Sequence, residues 1–442
     1  MRTVAIALLL CSAAGPASAE PTLSLRNAVV MALAHNRAVA NASAQVDKAD
    51  QDVAIARTRR LPAFKIETQA SQLLQPVDVT FSRGAFGDLP GVGPVPATDT
   101  NIRTPAKLTM VFDAQASQPL TQLHKLNLNV QWNQVTREYQ REQLRDTELA
   151  IVGEIKRTYY GIAQTRSALD ANLQALTLLR ELNRVVSTRV VQQVALKSDG
   201  LSVETRLAET DLARVKLQNA LDTQKEQLNL LLGRDVRTPF DVEDVPDAAG
   251  PEVNLASAQT MALDSRPDVK QARIRLEQAE LARRIAKADY VPDVAVAVSY
   301  FSPMNIDGAP RQIATAAIQA QWEPFDWGRK ARTVASKDIE ISQARNNVRE
   351  AEDRAVVDVN SRFRQLDEAR VQLRSVRLAQ ETARETARVR AAQYEVHAAL
   401  LADVLQAQAS LADNDHQYQQ ALAAFWTARA DFERALGEGT AQ

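Results

Sequence analysis

A chain of 442 residues carries enough material for two or three ordinary domains, but its apolar residues, 45% of the total, lean on alanine and only 5% are aromatic. Such a composition builds thin seams more readily than large globular cores. Its 53 basic and 54 acidic residues leave a formal net charge of −1, so no basic face invites nucleic acid. No apolar run past the first residues reaches the ~18 residues of a membrane-spanning helix, and any bilayer crossing falls to strands.

The first predicted element is a signal peptide over residues 1–19. Arg2 gives its positive end, residues 4–10 its apolar stretch, and Ala17-Ser18-Ala19 a small-residue cleavage pattern ahead of Glu20. The single cysteine, Cys11, lies inside this signal, and Leu10 before it is not the small residue of a lipoprotein cleavage box, so no lipid anchor is read. A mature chain starting at Glu20 then has no thiol, which excludes disulfides, thiolate metal sites and a cysteine nucleophile. Export without disulfides fits a bacterial envelope.

The remainder is written twice. Shifted by 230 positions, Leu25, Ala28, Ala32, Leu33, Val39, Ala42, Ala49, Ile55, Ala56 and Pro62 return as Leu255, Ala258, Ala262, Leu263, Val269, Ala272, Ala279, Ile285, Ala286 and Pro292. Further on, Pro119-Leu120 answers to Pro324-Phe325, His124-Lys125 to Arg329-Lys330, and Leu232-Gly233 to Leu436-Gly437. The repeats occupy residues 20–233 and 252–442, joined over 234–251 by a segment that carries Pro239, Pro246 and Pro251 among acidic residues and reads as a surface connector.

Each repeat opens on an alanine-rich helix and continues into strands. In 64–72 the polar set is Lys65, Glu67, Gln69 and Ser71. Gly84, Gly87, Gly91 and Gly93 mixed with Pro90, Pro94 and Pro96 mark a loop. In 107–117, Leu108, Met110, Phe112, Ala114 and Ala116 face one way and Thr109, Asp113, Gln115 and Ser117 the other. The second repeat places Val294, Val296, Val298 and Tyr300 on one face, then Ala314, Ala316, Ile318, Ala320 and Trp322 against Thr315, Gln319 and Gln321. Four strands of about ten residues suit a membrane barrel, but four cannot enclose a pore; three chains supply twelve.

All 17 prolines fall outside residues 120–238 and 325–442, so both tracts are predicted as long helix pairs. Leu169, Leu173, Leu176, Leu179, Leu182, Val186 and Val190 form a helical stripe, as do Val359, Phe363, Leu366 and Leu373. A helix over 120–194 extends roughly 110 Å at 1.5 Å per residue, several times the ~30 Å of hydrocarbon, so most of it stands in water.

The most specific text is Ala262-Leu263-Asp264-Ser265-Arg266-Pro267-Asp268-Val269, followed by Ala272, Ala279, Ala286 and Pro292. It is echoed weakly by Ala32-Leu33 and Asn36, with Arg37 where proline is usual. Gln393-Tyr394-Glu395-Val396 runs on to Asp403-Val404-Leu405. Over the whole mature chain this layout resembles the TolC-like outer-membrane efflux proteins. The resemblance implies a mainly α fold with a small β part. It is a homotrimer of long antiparallel helical hairpins that form a periplasmic tunnel below a shared 12-stranded barrel, four strands per chain. It implies a passive exit duct of a tripartite efflux or type I secretion system in the Gram-negative outer membrane. Its partners are outer-membrane lipid, a periplasmic adaptor and an inner-membrane pump, and it uses no cofactor. Tyr394 and Asp403 match residues of the periplasmic aperture, with Ala399 in the place of a latch arginine, Gln406 in that of a second aspartate and His397 where glycine is usual. The tips that dock the adaptor carry Leu196 and Ser198 on the first hairpin and Ala398 and Leu400 on the second. Leu201 stands where the first tip would carry its aspartate.

Simpler readings stand beside these. Arg266 and Asp268 around Pro267 fit local capping and pairing, and Asp403 fits a solvated helix face. His35, His124, His397 and His416 have no metal-ligand spacing, and Asp413-Asn414-Asp415-His416 is the nearest approach to one. Trp322 and Trp327 bracket Pro324 where strand meets helix, a place for interfacial aromatics or for core packing. A periplasmic adaptor also carries helical hairpins, but with soluble β domains flanking a single one. For an exported enzyme no acid, base or nucleophile constellation is present.

Overall fold

The computed structural model describes residues 22–104, 106–194, 196–245, 254–305, 310–396 and 398–439. The expected signal peptide, the end of the connector and His397 lie outside these residues. In chain order the first repeat runs β1 (Thr22–Leu23), α1 (Leu25–His35), α2 (Arg37–Thr58), β2 (Ala63–Gln72), β3 (Val77–Phe81), β4 (Asp88–Leu89), β5 (Gly93–Pro94), β6 (Thr100–Thr104), β7 (Leu108–Pro119), α3 (Gln122–Val191) and α4 (Lys197–Leu231). β8 (Asp241–Val242) follows. Then come α5 (Leu255–Ser265), α6 (Pro267–Ala288), β9 (Asp293–Met304), β10 (Ile313–Gln321), α7 (Arg329–Glu395) and α8 (Leu401–Ala435). Two compact units cut across the repeats: one takes the described parts of 1–46, 140–273 and 347–442, the other 47–139 and 274–346. No helix among the described residues is long and apolar enough to cross a membrane.

The second unit holds an antiparallel sheet in the order β10-β9-β7-β2. Its register carries the alternation of single strands across the whole sheet. Phe64, Ala116, Val298 and Ala316 form one cross-strand row, and Ile66, Ala114, Tyr300 and Ala314 the next. This face carries no charge, and it is open: Phe64 is 80% exposed and Ile318 75%. The opposite face holds all the sheet's charges, Lys65, Glu67, Asp113 and Asp293, together with hydroxyl pairs such as Ser71 with Thr109 at 2.8 Å and Ser299 with Thr315 at 2.7 Å. β2 and β10 are the edges, and among the described residues no strand pairs with their outer sides. Where the sequence suggests only a loop between β2 and β7, the chain builds two small hairpins, β3 with β6 and β4 with β5. Gly84, Gly87, Gly91 and Gly93 supply positive φ for their turns.

The first unit holds two cores of the same plan. Ala28 and Ala32 of α1 lie in a core with Ile155, Ile162 and Leu169 of α3 and Leu221, Leu228 and Leu232 around α4. Ala258 and Ala262 of α5 lie in one with Val359, Leu366 and Leu373 of α7 and Phe425, Phe432 and Leu436 around α8. Small residues on the short helices let the long pairs approach, which is how an alanine-rich chain packs densely. The stripe of α3 is confirmed at Leu169, Leu176, Leu179 and Val186, all buried, while Leu173 is exposed. The connector departs from its surface reading. Phe240 and Val242 are 1% exposed, because β8 pairs in parallel with β1 and carries its apolar residues into the first core. Tyr159 fixes this pair: its hydroxyl donates to Leu23 O at 2.9 Å and accepts from Glu243 N at 3.0 Å. Burial pushes the phenol up to about 12, so it stays neutral and able to donate.

The opening helix of each repeat is broken where a polar residue is needed. Asn36 ends α1 and starts α2, accepting from Ala38 N at 2.8 Å and donating to Leu231 O at 2.8 Å. Arg266 ends α5 before Pro267, whose ring disfavours helix in the residue ahead of it and suits the first position of the next. It donates to Asp268 at 2.8 Å, to Asp358 at 2.7 Å and to Ala435 O at 3.3 Å. A Cβ on Gly233 would lie 2.2 Å from His35 O, and one on Gly437 2.9 Å from the Ser265 carbonyl carbon, so the ends of α4 and α8 close on these junctions only through glycine. The structural reading of Arg266 and Asp268 therefore holds.

Burial works against the ionised form of Asp268, but the Arg266 hydrogen bonds outweigh it and hold the carboxyl below its usual value. Its contribution to stability is present above the ordinary carboxylate pKa of about 4 and is lost as pH falls through the depressed folded value. Asp268→Asn is expected to lower the thermal midpoint at pH 7, with the gap to the parent protein closing on acidification below about pH 4. A gap that does not change with pH would remove the ion pair from the account.

Candidate functional site

The ends of the two long hairpins collect most of the side chains singled out in the sequence. α3 stops in a Schellman arrangement, with Val194 N donating to Arg189 O at 2.9 Å and Gln193 N to Val190 O at 3.0 Å. The left-handed residue is Gln193, with φ +60°, where glycine is the usual choice. The end of α7 makes the same outer bond, from Ala398 N to Gln393 O at 2.7 Å.

The returning helices start alike. Leu196 is the N-cap of α4, and its N–H donates to Asp199 at 3.2 Å; Leu400 is the N-cap of α8, and its N–H donates to Asp403 at 3.2 Å. A leucine offers no capping oxygen, so the aspartate three residues on takes over half of a capping box and sets a negative charge against the positive helix terminus. The counterpart of Asp403 in the first repeat is therefore Asp199, 204 positions earlier, and not Leu201. Leu232 and Leu436 stand at the same separation, so the signal was present in the sequence. Leu196 and Leu400 hold equivalent places, while Ser198 lies inside the first turn of α4 and Ala398 lies before the N-cap of α8.

Both tips are apolar and open to solvent. Val194 is 73% exposed, Leu196 69%, Val396 73% and Leu400 72%. Such a surface loses little by desolvation when another apolar tip covers it. Just inside, Tyr394 of α7 meets a residue that sequence reasoning missed. Its hydroxyl accepts from Arg189 Nη1 at 2.7 Å, and the guanidinium carbon lies 5.0 Å from the ring centroid. Arg189 sits in the last turn of α3, so this contact joins the two hairpins of one chain. Tyr394 and Asp403 share the second hairpin but are not hydrogen-bonded to each other; Tyr394 is paired with Arg189 and Asp403 with the Leu400 N–H. Farther along α8, Asp415 accepts from Gln380 at 2.7 Å and His416 pairs with Gln420 at 2.7 Å, which occupies the cluster around 413–416 with neighbours of its own helix pair.

A family model described as outer membrane efflux protein matches residues 28–234 and 259–438. An uncharacterized protein of Haemophilus influenzae is 22% identical over 231 residues, half of this chain and half of its own length. Among solved structures, the outer membrane protein VceC of Vibrio cholerae superposes with a TM-score of 0.74 at 16% identity, over 94% of this chain and 97% of that one. The CmeC outer membrane channel of Campylobacter jejuni gives 0.77 at 12% identity over 95% and 87%. The open state of the MtrE outer membrane channel of Neisseria gonorrhoeae gives 0.72 at 14% over 94% and 89%. At these identities the structures speak for the fold.

The matched caps make a direct test. Asp199→Ala and Asp403→Ala should each cost about 1 kcal/mol of local stability, read as roughly fivefold faster amide exchange in the first turn of α4 or α8 alone. Unchanged exchange in both would show that the aspartates cap nothing.

Proposed function

This chain belongs to the outer membrane efflux protein family, and we propose that three copies of it form a passive exit duct that crosses the outer membrane by strands and reaches into the periplasm by helical hairpins. One observation carries this reading: a four-stranded sheet with one charge-free, exposed apolar face and two unpaired edges. In hydrocarbon every edge N–H and C=O without a partner costs several kcal/mol, so the sheet needs closure, and three copies close it with twelve strands around a polar interior. The two repeats, 20–233 and 252–442, each bring one strand pair and one hairpin, with 234–251 between them. A periplasmic adaptor is not supported, since the second unit is a membrane-type sheet and the family is that of the outer-membrane component.

The duct is gated at the hairpin ends. Arg189 and Tyr394 tie the hairpins of one chain together, in place of the latch arginine that Ala399 replaces. Asp403, three times repeated around the mouth with Asp199 at the matching place on the other hairpin, favours cations. The exposed Leu196 and Leu400, with Ser198 and Ala398 beside them, receive the periplasmic adaptor that links the duct to an inner-membrane pump of a tripartite efflux or type I secretion system.

In detergent the protein is expected to run as a trimer and to form channels in planar bilayers. Leu196→Glu with Leu400→Glu should abolish export while leaving trimer and insertion intact, because a carboxylate on each tip cannot be desolvated against an apolar partner. Persisting export would show the docking surface to lie elsewhere.

Channel recordings address the mouth. Arg189→Ala should raise the open fraction, and Asp403→Asn should weaken cation preference with little effect on opening. If neither variant differs from the parent, the constriction is not at these residues.

A further inference from the structure

Tyr160 follows Tyr159 on α3 but is used differently. The Tyr159 hydroxyl is spent on the backbone around β1 and β8. Tyr160 is only 8% exposed, yet its hydroxyl has no hydrogen-bond partner among the described residues. A buried hydroxyl left unpaired is destabilising, so an unspent one at a core position points to a partner from outside the fold. Burial pushes this phenol above its ordinary value, and it remains a neutral O–H at every physiological pH. Its ring stacks on Trp426 of α8 at 5.8 Å between centroids. The Arg429 guanidinium lies 5.2 Å from the indole centroid, which fixes both rings in place.

Tyr160 lines a cavity of about 230 Å³ between α3, α8 and the chain that follows β8, all within the first unit. This volume is below the ~300 Å³ at which pockets for drug-sized ligands begin, and it leaves room for one ring with its substituents. Trp426, Leu422, Ala423 and Ala163 give the cavity an apolar side. Gln164, Ser167 and Gln419 also line it; all three are half-buried and, like Tyr160, have no hydrogen bond from their side chains to a described residue. Glu243 and Asp244 stand exposed on a third side. The guanidinium in the lining, that of Arg166, is already engaged by Val242 O, Asp241 and Asp244.

These groups select a ligand by charge and by hydrogen bonding. An anion would meet Glu243 and Asp244 with no uncommitted cation in the lining to offset them. An organic cation suits the carboxylates but brings no acceptor for the phenol O–H or for the two amide NH₂ groups. Hydroxyls and amides that both donate and accept, set beside an apolar wall, complement a ring whose hydroxyls do the same and whose C–H bonds are apolar. We infer that the cavity is a binding site for a single uncharged sugar ring, with Tyr160, Gln164, Ser167 and Gln419 bonding its hydroxyls and Glu243 accepting from one at the rim. The ring can arrive as a free sugar or as one unit of a glycan strand. The site lies within one chain and does not depend on the duct proposed above.

Saturation-transfer NMR on the full-length protein tests this, in an amine-oxide detergent that carries no sugar headgroup. N-acetylglucosamine should receive saturation from the parent protein, and glucuronate, with its carboxylate, should bind at least about tenfold more weakly. Tyr160→Phe and Gln164→Ala should each weaken binding about two- to tenfold, the range for one hydrogen bond. The thermal midpoint of Tyr160→Phe should not fall, because the hydroxyl it removes has no partner in the protein. Tighter binding of the N-acetylglucosamine tetramer than of the monomer would identify a glycan strand as the source, and equal binding a free sugar. No transfer from the parent protein, or unchanged affinity in both variants, would overturn the inference. Displacement of the sugar by benzylamine at equal or lower concentration would overturn it too, and assign the cavity to an organic cation.

Discussion

The unpaired backbone along β2 and β10 is the constraint from which the rest of the architecture follows. A charge-free face can be left to lipid, but a strand edge cannot, because its N–H and C=O groups find no water there. Duplication solves half of the problem. Each repeat supplies one antiparallel pair, β2 with β7 and β9 with β10, and the pairing of β7 with β9 fuses them. That fusion turns four edges into two, still on opposite sides of a sheet too narrow to close on itself. Copies of the same chain carry complementary edges, so symmetry completes what duplication begins.

The helical part obeys a different rule, that of close approach. Long helices with few aromatic residues gain from packing only where small side chains bring backbones together, as Ala28 and Ala32 do in one core and Ala258 and Ala262 in the other. The ends of α4 and α8 then press on the breaks between the short helices, where glycine is required at 233 and 437. The two repeats satisfy the orphan carbonyls there with different residues, Asn36 in one and Arg266 in the other. Arg266 also gathers two carboxylates, which gives the more conspicuous Arg-Pro-Asp text a structural part at this junction.

Most of this was legible in the sequence because it is periodic. Alternation located all four sheet strands, proline avoidance both hairpins, and a fixed offset the repeat. What escaped was non-periodic. The small hairpins between β2 and β7 are too short to alternate, and Phe240 and Val242, beside and within β8, are buried residues in an acidic, proline-bearing stretch that looks like surface. At the tips, aligning the aspartate by family spacing led to Leu201, whereas the offset shared by Leu232 and Leu436 leads to Asp199. Arg189 could not be foreseen, since its partner Tyr394 lies 205 residues away and neither residue belongs to a spaced motif.

The same distinction between closed sheet and capped tip sets how the proposed duct can move. Opening the barrel would expose a row of edge groups at several kcal/mol each, a cost no binding partner could supply, so the strands stay shut. The tips are held by far less. A charged hydrogen bond to Tyr394 with a guanidinium near its ring, half in solvent, contributes about 1–2 kcal/mol. Three copies then give about 3–6 kcal/mol, comparable to the ~5.5 kcal/mol that carries a two-state equilibrium from 99:1 to 1:99. Gln193 in a left-handed conformation adds strain of about 1 kcal/mol per copy to the same region. A partner that buries Leu196 and Leu400 gains roughly 1.5–3 kcal/mol for each fully covered side chain, so covering the six exposed leucines of a trimer outweighs three such ties. In the proposed duct the apolar tips and the weak tie would act as one device: the exposed leucines proposed to receive the partner lie near the contact whose loss would open the mouth.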